Sequence, residues 1–399
     1  MIFDGFLRRR THELMKPWIG SQLIKVVTGQ RRVGKSTFLE GLHAEMTTAS
    51  GKAPLFVQCE RIQWAHVRSG DDLIRECLAH APEGNGVLMI DEVQEIEGFD
   101  KALRSLVAEG RWDIYVTGSN AELLSGEIAT RFAGRSVTIE MFPLGYDEFL
   151  EFHGLPDGEE ALGHFLRYGG LPFLRHLPLR DDTALEYLGG VAQTAILKDV
   201  VTRHTLRNPD LLNRLVLFLA DSIGSPVSAQ AIARFLKSQR VSASVPTLLD
   251  YLHHLHQAYL VRRVPRQDLV GRRILEVAEK HYFEDLGIRA ALLGSRPTDI
   301  GKVIENAVHH RLLMDGWKVF TGDLGGREID FVCERGADRL YVQATYLMPE
   351  AATREREFGN LMAIPDNHPK LVVSMDPFVS DERGIKHLAL RTFLRDGWA

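Results

Sequence analysis

The chain has 399 residues, 45% hydrophobic and 25% charged, and its 48 Lys and Arg against 53 Asp and Glu leave a net charge of −5. That length suits two or three domains, each able to bury a core without disulfide or metal staples. The bulk charge excludes a generally basic coat for nucleic acid, so any surface for a polyanion must be local.

Taken in chain order, the first ten residues include Arg8, Arg9 and Arg10 and are too charged for a signal peptide. Residues 23–28 are an apolar run that reads as a strand, and Gly29-Gln30-Arg31-Arg32-Val33-Gly34-Lys35-Ser36-Thr37 follows it. This is G-x-x-x-x-G-K-[ST], a phosphate-binding loop set between a strand and a helix. Its chemistry is mostly backbone. Gly29 and Gly34 permit the turn that aims successive N–H groups at phosphates, and the following helix adds its positive end. Lys35 is expected to reach the β- and γ-phosphates and Ser36 to hold Mg²⁺, so ATP and Mg²⁺ are the expected ligands.

Residues 55–59 are the next strand candidate. Val87-Leu88-Met89-Ile90-Asp91-Glu92 then places two acids after four apolar residues, the pattern of a parallel strand buried on both faces. Asp91 falls at the carboxyl end, where open α/β sheets bind ligands, and suits the metal's shell. Glu92 is the expected base for orienting the attacking water. Residues 113–117 form a further strand, followed by Ser119 and Asn120, either able to sense the γ-phosphate, with Asn120 preferred. Residues 136–140 complete a parallel α/β pattern.

This order resembles the AAA+ ATPases: Walker A, Walker B with Asp-Glu, then sensor 1. The likeness continues through Thr130-Arg131-Phe132-Ala133-Gly134-Arg135 and Phe142-Pro143-Leu144-Gly145-Tyr146-Asp147-Glu148-Phe149, which look like prokaryotic AAA-type ATPases with a restriction-endonuclease-like C-terminal region. The resemblance implies that Arg131 or Arg135 is an arginine finger reaching a neighbouring subunit's nucleotide, and hence self-association into a ring. Gly169-Gly170-Leu171-Pro172 matches another motif of that family.

From about residue 145 the periodicity becomes helical, as in a lid. Further helices are expected over 211–223, from 227 and from 242, and residues 259–264 read as a strand. Two helices, a short turn, a third helix and a hairpin make a winged helix-turn-helix. Ser244 and Thr247 lie near the start of its recognition helix. Arg262, Arg263, Arg266, Arg272 and Arg273 crowd the wing, with only Asp268 among them, and are the expected phosphate contacts. His253, His254 and His256 have no Cys or acid at ligand spacing, so no metal is expected there.

Residues 280–399 return to α/β, and Lys280-His281-Tyr282-Phe283-Glu284-Asp285-Leu286-Gly287 matches the same family's lead-in to its C-terminal region. Glu305 on a helix, Asp330 on a strand and Gln343-Ala344-Thr345 on the next look like a PD-(D/E)xK nuclease arrangement. Neutral Gln343 stands where that pattern has a metal-binding Glu, and Thr345 where it has Lys. A hydroxyl cannot replace an ammonium beside the charge that develops on phosphate, so a degenerate, inactive domain is expected.

The expected fold is therefore α/β. An AAA+ core spans 1–145, a helical lid 146–205, a winged helix-turn-helix 206–275 and a nuclease-like domain 276–399. Cys59, Cys77 and Cys333 are scattered with no C-x-x-C pair, which fits a reducing cytoplasm. No run approaches the ~20 apolar residues of a membrane span. The expected function is an ATP-hydrolysing oligomer that moves or remodels duplex or branched DNA. The alternatives are a nucleotide-dependent switch acting on a protein partner or promoter, and an ATP-gated nuclease.

Overall fold

The computed structural model describes residues 8–118, 132–204, 206, 208–271, 273–294 and 296–398. They fall into two compact units. One is drawn from residues up to 142 together with 257–259, the other from 143–256 and 260 onward.

In the first unit, α1 (Arg9–Met15) leads to β1 (Ile24–Thr28), α2 (Lys35–Ser50), β2 (Leu55–Gln58), α3 (Gly70–His80), β3 (Gly86–Asp91), α4 (Phe99–Glu109), β4 (Trp112–Thr117) and β5 (Ser136–Glu140). The strands form one parallel sheet in the order β2-β3-β4-β1-β5. Each expected strand is present within a residue or so of its expected bounds. All five residues of β1 are buried, as befits a strand covered on both faces. Side-chain alternation sorts the strands' apolar residues into two layers. Ile24, Val26, Leu88, Ile90, Ile114 and Val116 pack on one side. Val27, Met89, Tyr115 and Ile139 pack on the other with Phe38, Leu39 and Leu42 of α2. Chain order and spatial order diverge at β1, and the loop at its carboxyl end opens on the crevice where such sheets bind ligands.

After residue 142 the chain runs through α5 (Tyr146–His153), α6 (Glu159–Tyr168), α7 (Glu186–Thr194), α8 (Pro209–Asp221), α9 (Ala229–Ser238) and α10 (Val245–Gln257). It continues as β6 (Val261–Asp268), β7 (Arg273–Phe283), α11 (Leu286–Leu293), α12 (Ile300–Met314), β8 (Lys318–Leu324), β9 (Arg327–Arg335), β10 (Asp338–Ala344), α13 (Ala351–Met362), β11 (Lys370–Ser374), β12 (Lys386–Ala389) and α14 (Leu390–Asp396). These strands make one seven-stranded sheet, β12-β11-β10-β9-β8-β6-β7. No described helix is long and apolar enough to cross a membrane.

After residue 142 the C-terminal sheet runs across one of the expected boundaries. The boundary placed at 275/276 falls inside β7, and the hairpin β6–β7 is part of the C-terminal sheet, because Arg266, Gln267 and Asp268 pair in parallel with Thr321, Gly322 and Asp323 of β8. The lid helices also belong to this second unit. Asp285, the N-cap of α11, is buried and accepts hydrogen bonds from Gly170 N (2.7 Å) and Ile288 N (2.9 Å). A Cβ on Gly169 would lie 2.4 Å from the Asp285 carboxylate, and one on Gly287 would lie 1.9 Å from Tyr168 O. The Gly-Gly-Leu-Pro and Glu-Asp-Leu-Gly motifs therefore fit one another, and their glycines are a steric requirement of that contact.

Replacing Asp285 by Ala removes a helix cap and strands the buried Gly170 N–H, and should lower stability by about 2–3 kcal/mol in urea unfolding of the full chain. Burial pushes the Asp285 carboxyl up, from its ordinary 3.8 to about 6. In that window the folded chain holds a proton that the unfolded chain has lost, so this group's contribution to stability falls as pH rises from 3.8 to about 6 and is flat above. Asp285→Asn should remove that slope in unfolding midpoints measured across the window.

Candidate functional site

The loop after β1 is shaped by its glycines. Gly29 has φ +141°, and a Cβ there would lie 2.1 Å from Met141 O. Gly34 has φ +102° and caps α2. Arg32 also takes a left-handed conformation, φ +67°, which non-glycine residues adopt at a cost. Lys35 is buried, and its Nζ donates to Gly29 O (2.9 Å) and Gln30 O (3.0 Å), so the ammonium folds back over the loop. Arg8 clamps the loop from the N-terminal side, donating to Val33 O (3.0 Å) and Phe142 O (2.8 Å). Among the described residues nothing hydrogen-bonds either polar atom of the buried Gln30 side chain. Buried polar atoms of this kind are normally satisfied, which fits a loop built to close on a polar ligand.

The acid pair meets this loop. Asp91 ends β3 and is buried, with the Ser36 hydroxyl and the Lys35 ammonium near enough to favour its charged form. Thr117 at the end of β4 donates its hydroxyl to Asp91 Oδ1 (2.6 Å) and accepts the Glu92 N–H (2.9 Å). Burial raises the Asp91 carboxyl above its ordinary range, opposed by the hydrogen bonds from Thr117 and Ser36 and by the Lys35 charge. Glu92 is half-buried in a left-handed turn, φ +57°, and its carboxylate is held by the Gln94 side-chain amide. A hydroxyl and a carboxylate side by side at the loop are the hard oxygen donors that Mg²⁺ takes. Ser36 and Asp91 are the groups placed to hold it.

A family model described as an AAA domain matches residues 21–150, and a second, described as a domain of unknown function, matches 159–299. An uncharacterized protein of Haemophilus influenzae is 32% identical over 366 residues, 89% of each chain. Protein MJ1544 of Methanocaldococcus jannaschii, also described as uncharacterized, is 28% identical over 84% of this chain and 77% of its own. This chain belongs to one family with the Haemophilus protein, and its residues 21–150 are an AAA domain. Among solved structures, a Walker-type ATPase of Pyrococcus abyssi is similar at 16% identity and a TM-score of 0.49, covering 73% of this chain and 96% of that one. The second match crosses both 205/206 and 275/276, as the second compact unit does.

Asn120, Ser119 and Arg131 of the ATPase lie outside the described residues. Arg135 is exposed on the turn before β5. Arg8 and Thr117 were not singled out from the sequence. Thr117 carried a signal, a hydroxyl at the tip of an otherwise apolar strand, whereas Arg8 carried none.

The arginines of residues 262–273 are less free than their sequence suggests. Arg262 pairs with the buried carboxylate of Glu284, Arg266 with Asp323 (3.1 Å), Arg263 with Glu279 (3.7 Å) and Arg273 with Asp268 (3.5 Å). Three of those four acids lie outside the 262–273 segment. Arg263 and Arg273 remain exposed and Arg262 and Arg266 are half-buried, while Arg272 lies outside the described residues. Ser244 and Thr247 bond to one another (2.8 Å), and Ser244 also accepts the Thr247 N–H at the start of α10.

The C-terminal candidates do converge. Gln343 Oε1 accepts the Asp330 N–H (2.7 Å), and Gln343 Nε2 donates to Glu357 (2.9 Å). Glu305 and Asp330 share a neighbour the sequence reading passed over, the buried Lys280. Thr345 follows β10 and gives its N–H to Val373 O (3.0 Å).

Thr117→Val keeps the strand's shape and deletes both hydroxyl contacts to the acid pair. Turnover of ATP should fall about 10- to 100-fold, with nucleotide affinity changed far less and Thr117→Ser largely restoring the rate. Steady-state ATPase assays with nucleotide titrations check this.

Proposed function

We propose that this ATPase hydrolyses ATP between Lys35, Ser36, Asp91 and Glu92, and that the cycle moves or remodels duplex or branched DNA bound by the second unit. The observation that carries the reading is that Thr117 hydrogen-bonds both Asp91 and Glu92 while Asp91 lies beside Ser36 and Lys35, because this brings the phosphate loop and the acid pair together. Loop amides and Lys35 bind the β- and γ-phosphates and offset the charge that develops on the transferred group. Mg²⁺, held at Ser36 and Asp91, would supply further charge neutralisation on the phosphates. Glu92 orients the attacking water and accepts its proton, with Gln94 fixing the carboxylate. Asn120 senses the γ-phosphate, and Arg131 or Arg135 completes a neighbour's site in a ring.

The order α8, α9, α10 and hairpin β6–β7, with Val227 bridging Glu279 of β7, supports a winged helix. Ser244 and Thr247 would face the groove, while Arg263, Arg273, Arg272, Arg266 and Arg262 would grip phosphates. The order α12-β8-β9-β10-α13-β11 supports the nuclease-like reading of the C-terminal strands, with cleavage lost at Gln343 and Thr345. We place the protein in the cytoplasm. The ion-paired wing favours a second reading, in which nucleotide exchange switches the wing's grip on a protein partner or a promoter.

ATPase rates with and without single-stranded, duplex and four-way DNA, with particle size by light scattering, separate these readings. The motor reading expects stimulation by DNA, an oligomer, and DNA affinity that falls steeply with salt; the absence of salt-dependent DNA affinity would end it. Glu92→Gln should bind ATP and barely turn it over. Unchanged turnover would remove Glu92 as the water activator.

A further inference from the structure

Lys280 is an ammonium placed among acids. It is 1% exposed on β7. Its Nζ lies 2.6 Å from Glu305 Oε1 of α12, 2.7 Å from Glu328 Oε1 and 3.7 Å from Asp330 Oδ1, the last two from β9. Lys280 thus stands at the meeting point of three carboxylates from two elements. The acids' other contacts are also satisfied from within. Glu305 Oε1 accepts the Tyr282 hydroxyl (2.5 Å), Asp330 Oδ2 accepts the Ala344 N–H (2.9 Å), and Gln343 uses both ends of its amide on Asp330 and Glu357.

We propose that the Lys280 ammonium is a built-in cation standing where Glu305, Glu328 and Asp330 would otherwise gather a divalent metal ion, so that the intact chain takes no metal there. A divalent ion at that point would have to displace the ammonium or sit against it, and two cations within contact distance in a buried site repel strongly. Removing the ammonium leaves three clustered acids, Glu305 and Asp330 largely shielded from solvent, with no counter-charge, a state that a divalent ion then relieves. Burial raises both Glu305 and Asp330, and the Lys280 charge opposes that rise. The inference rests on the C-terminal residues alone and does not depend on the nucleotide-driven reading above.

The test uses the full chain without nucleotide, with Mn²⁺ as the probe. Thermal midpoints and Mn²⁺ binding by electron paramagnetic resonance are measured for wild type, Asp330→Asn, Lys280→Ala and the double variant. Wild type and Asp330→Asn should respond alike. Lys280→Ala should melt lower than wild type, bind Mn²⁺ about tenfold or more tightly than wild type, and regain midpoint as Mn²⁺ is added. The double variant should lose that gain. Two results would overturn the proposal: wild-type binding of Mn²⁺ that disappears in Asp330→Asn, or a folded Lys280→Ala with no added affinity. If Lys280→Ala does not fold, Lys280→Gln takes its place, and the wild-type comparison with Asp330→Asn decides by itself whether ammonium and metal coexist.

Discussion

One hydroxyl ties together the two acids of the candidate nucleotide site. Thr117 both donates to Asp91 and accepts from the backbone of Glu92, so the tip of β4 fixes the two acids at the tip of β3. Asp91 in turn lies close to Ser36 in the first turn of α2. The tips of β3 and β4 are thereby registered by a side chain as well as by ladder bonds. Such registration matters because the reaction has little covalent work for the protein to do, and placement of charge and water supplies most of the rate. The left-handed turn at Glu92 is the backbone cost of aiming that carboxylate.

Much of this site was legible in the sequence. A phosphate loop is a local motif, since its glycines, lysine and hydroxyl are consecutive and its strand and helix flank it directly. The acid pair was legible for the same reason, as a short apolar run ending in Asp91 and Glu92. Arg8 was not, because its partners Val33 and Phe142 are distant in sequence and an arginine near an N-terminus has no pattern of its own.

The second unit shows where local reading fails. Five arginines in twelve residues read as a polyanion surface, and the sequence does not reveal that Arg262, Arg263 and Arg266 each stand beside an acid from outside that segment. Glu279, Glu284 and Asp323 come from the return strand, the following turn and a strand about fifty residues on. Sheet membership is equally non-local: parallel pairing of β6 with β8 joins the hairpin to strands beyond the expected boundary at 275/276. Lys280 was quoted in a family motif, but its significance depends on a helix and a strand that bring Glu305, Glu328 and Asp330 around it. Attention to position 345, where the nuclease pattern has its lysine, pointed away from the lysine that is actually present.

Equilibrium dialysis of ATP with magnesium against the wild-type chain and Lys35→Ala asks the simplest question of this arrangement. Saturable ATP binding by the wild type, weakened at least tenfold in the variant, is the outcome expected if the loop amides and this ammonium cradle a triphosphate. Equal binding by both chains, or none by the wild type, would contradict it.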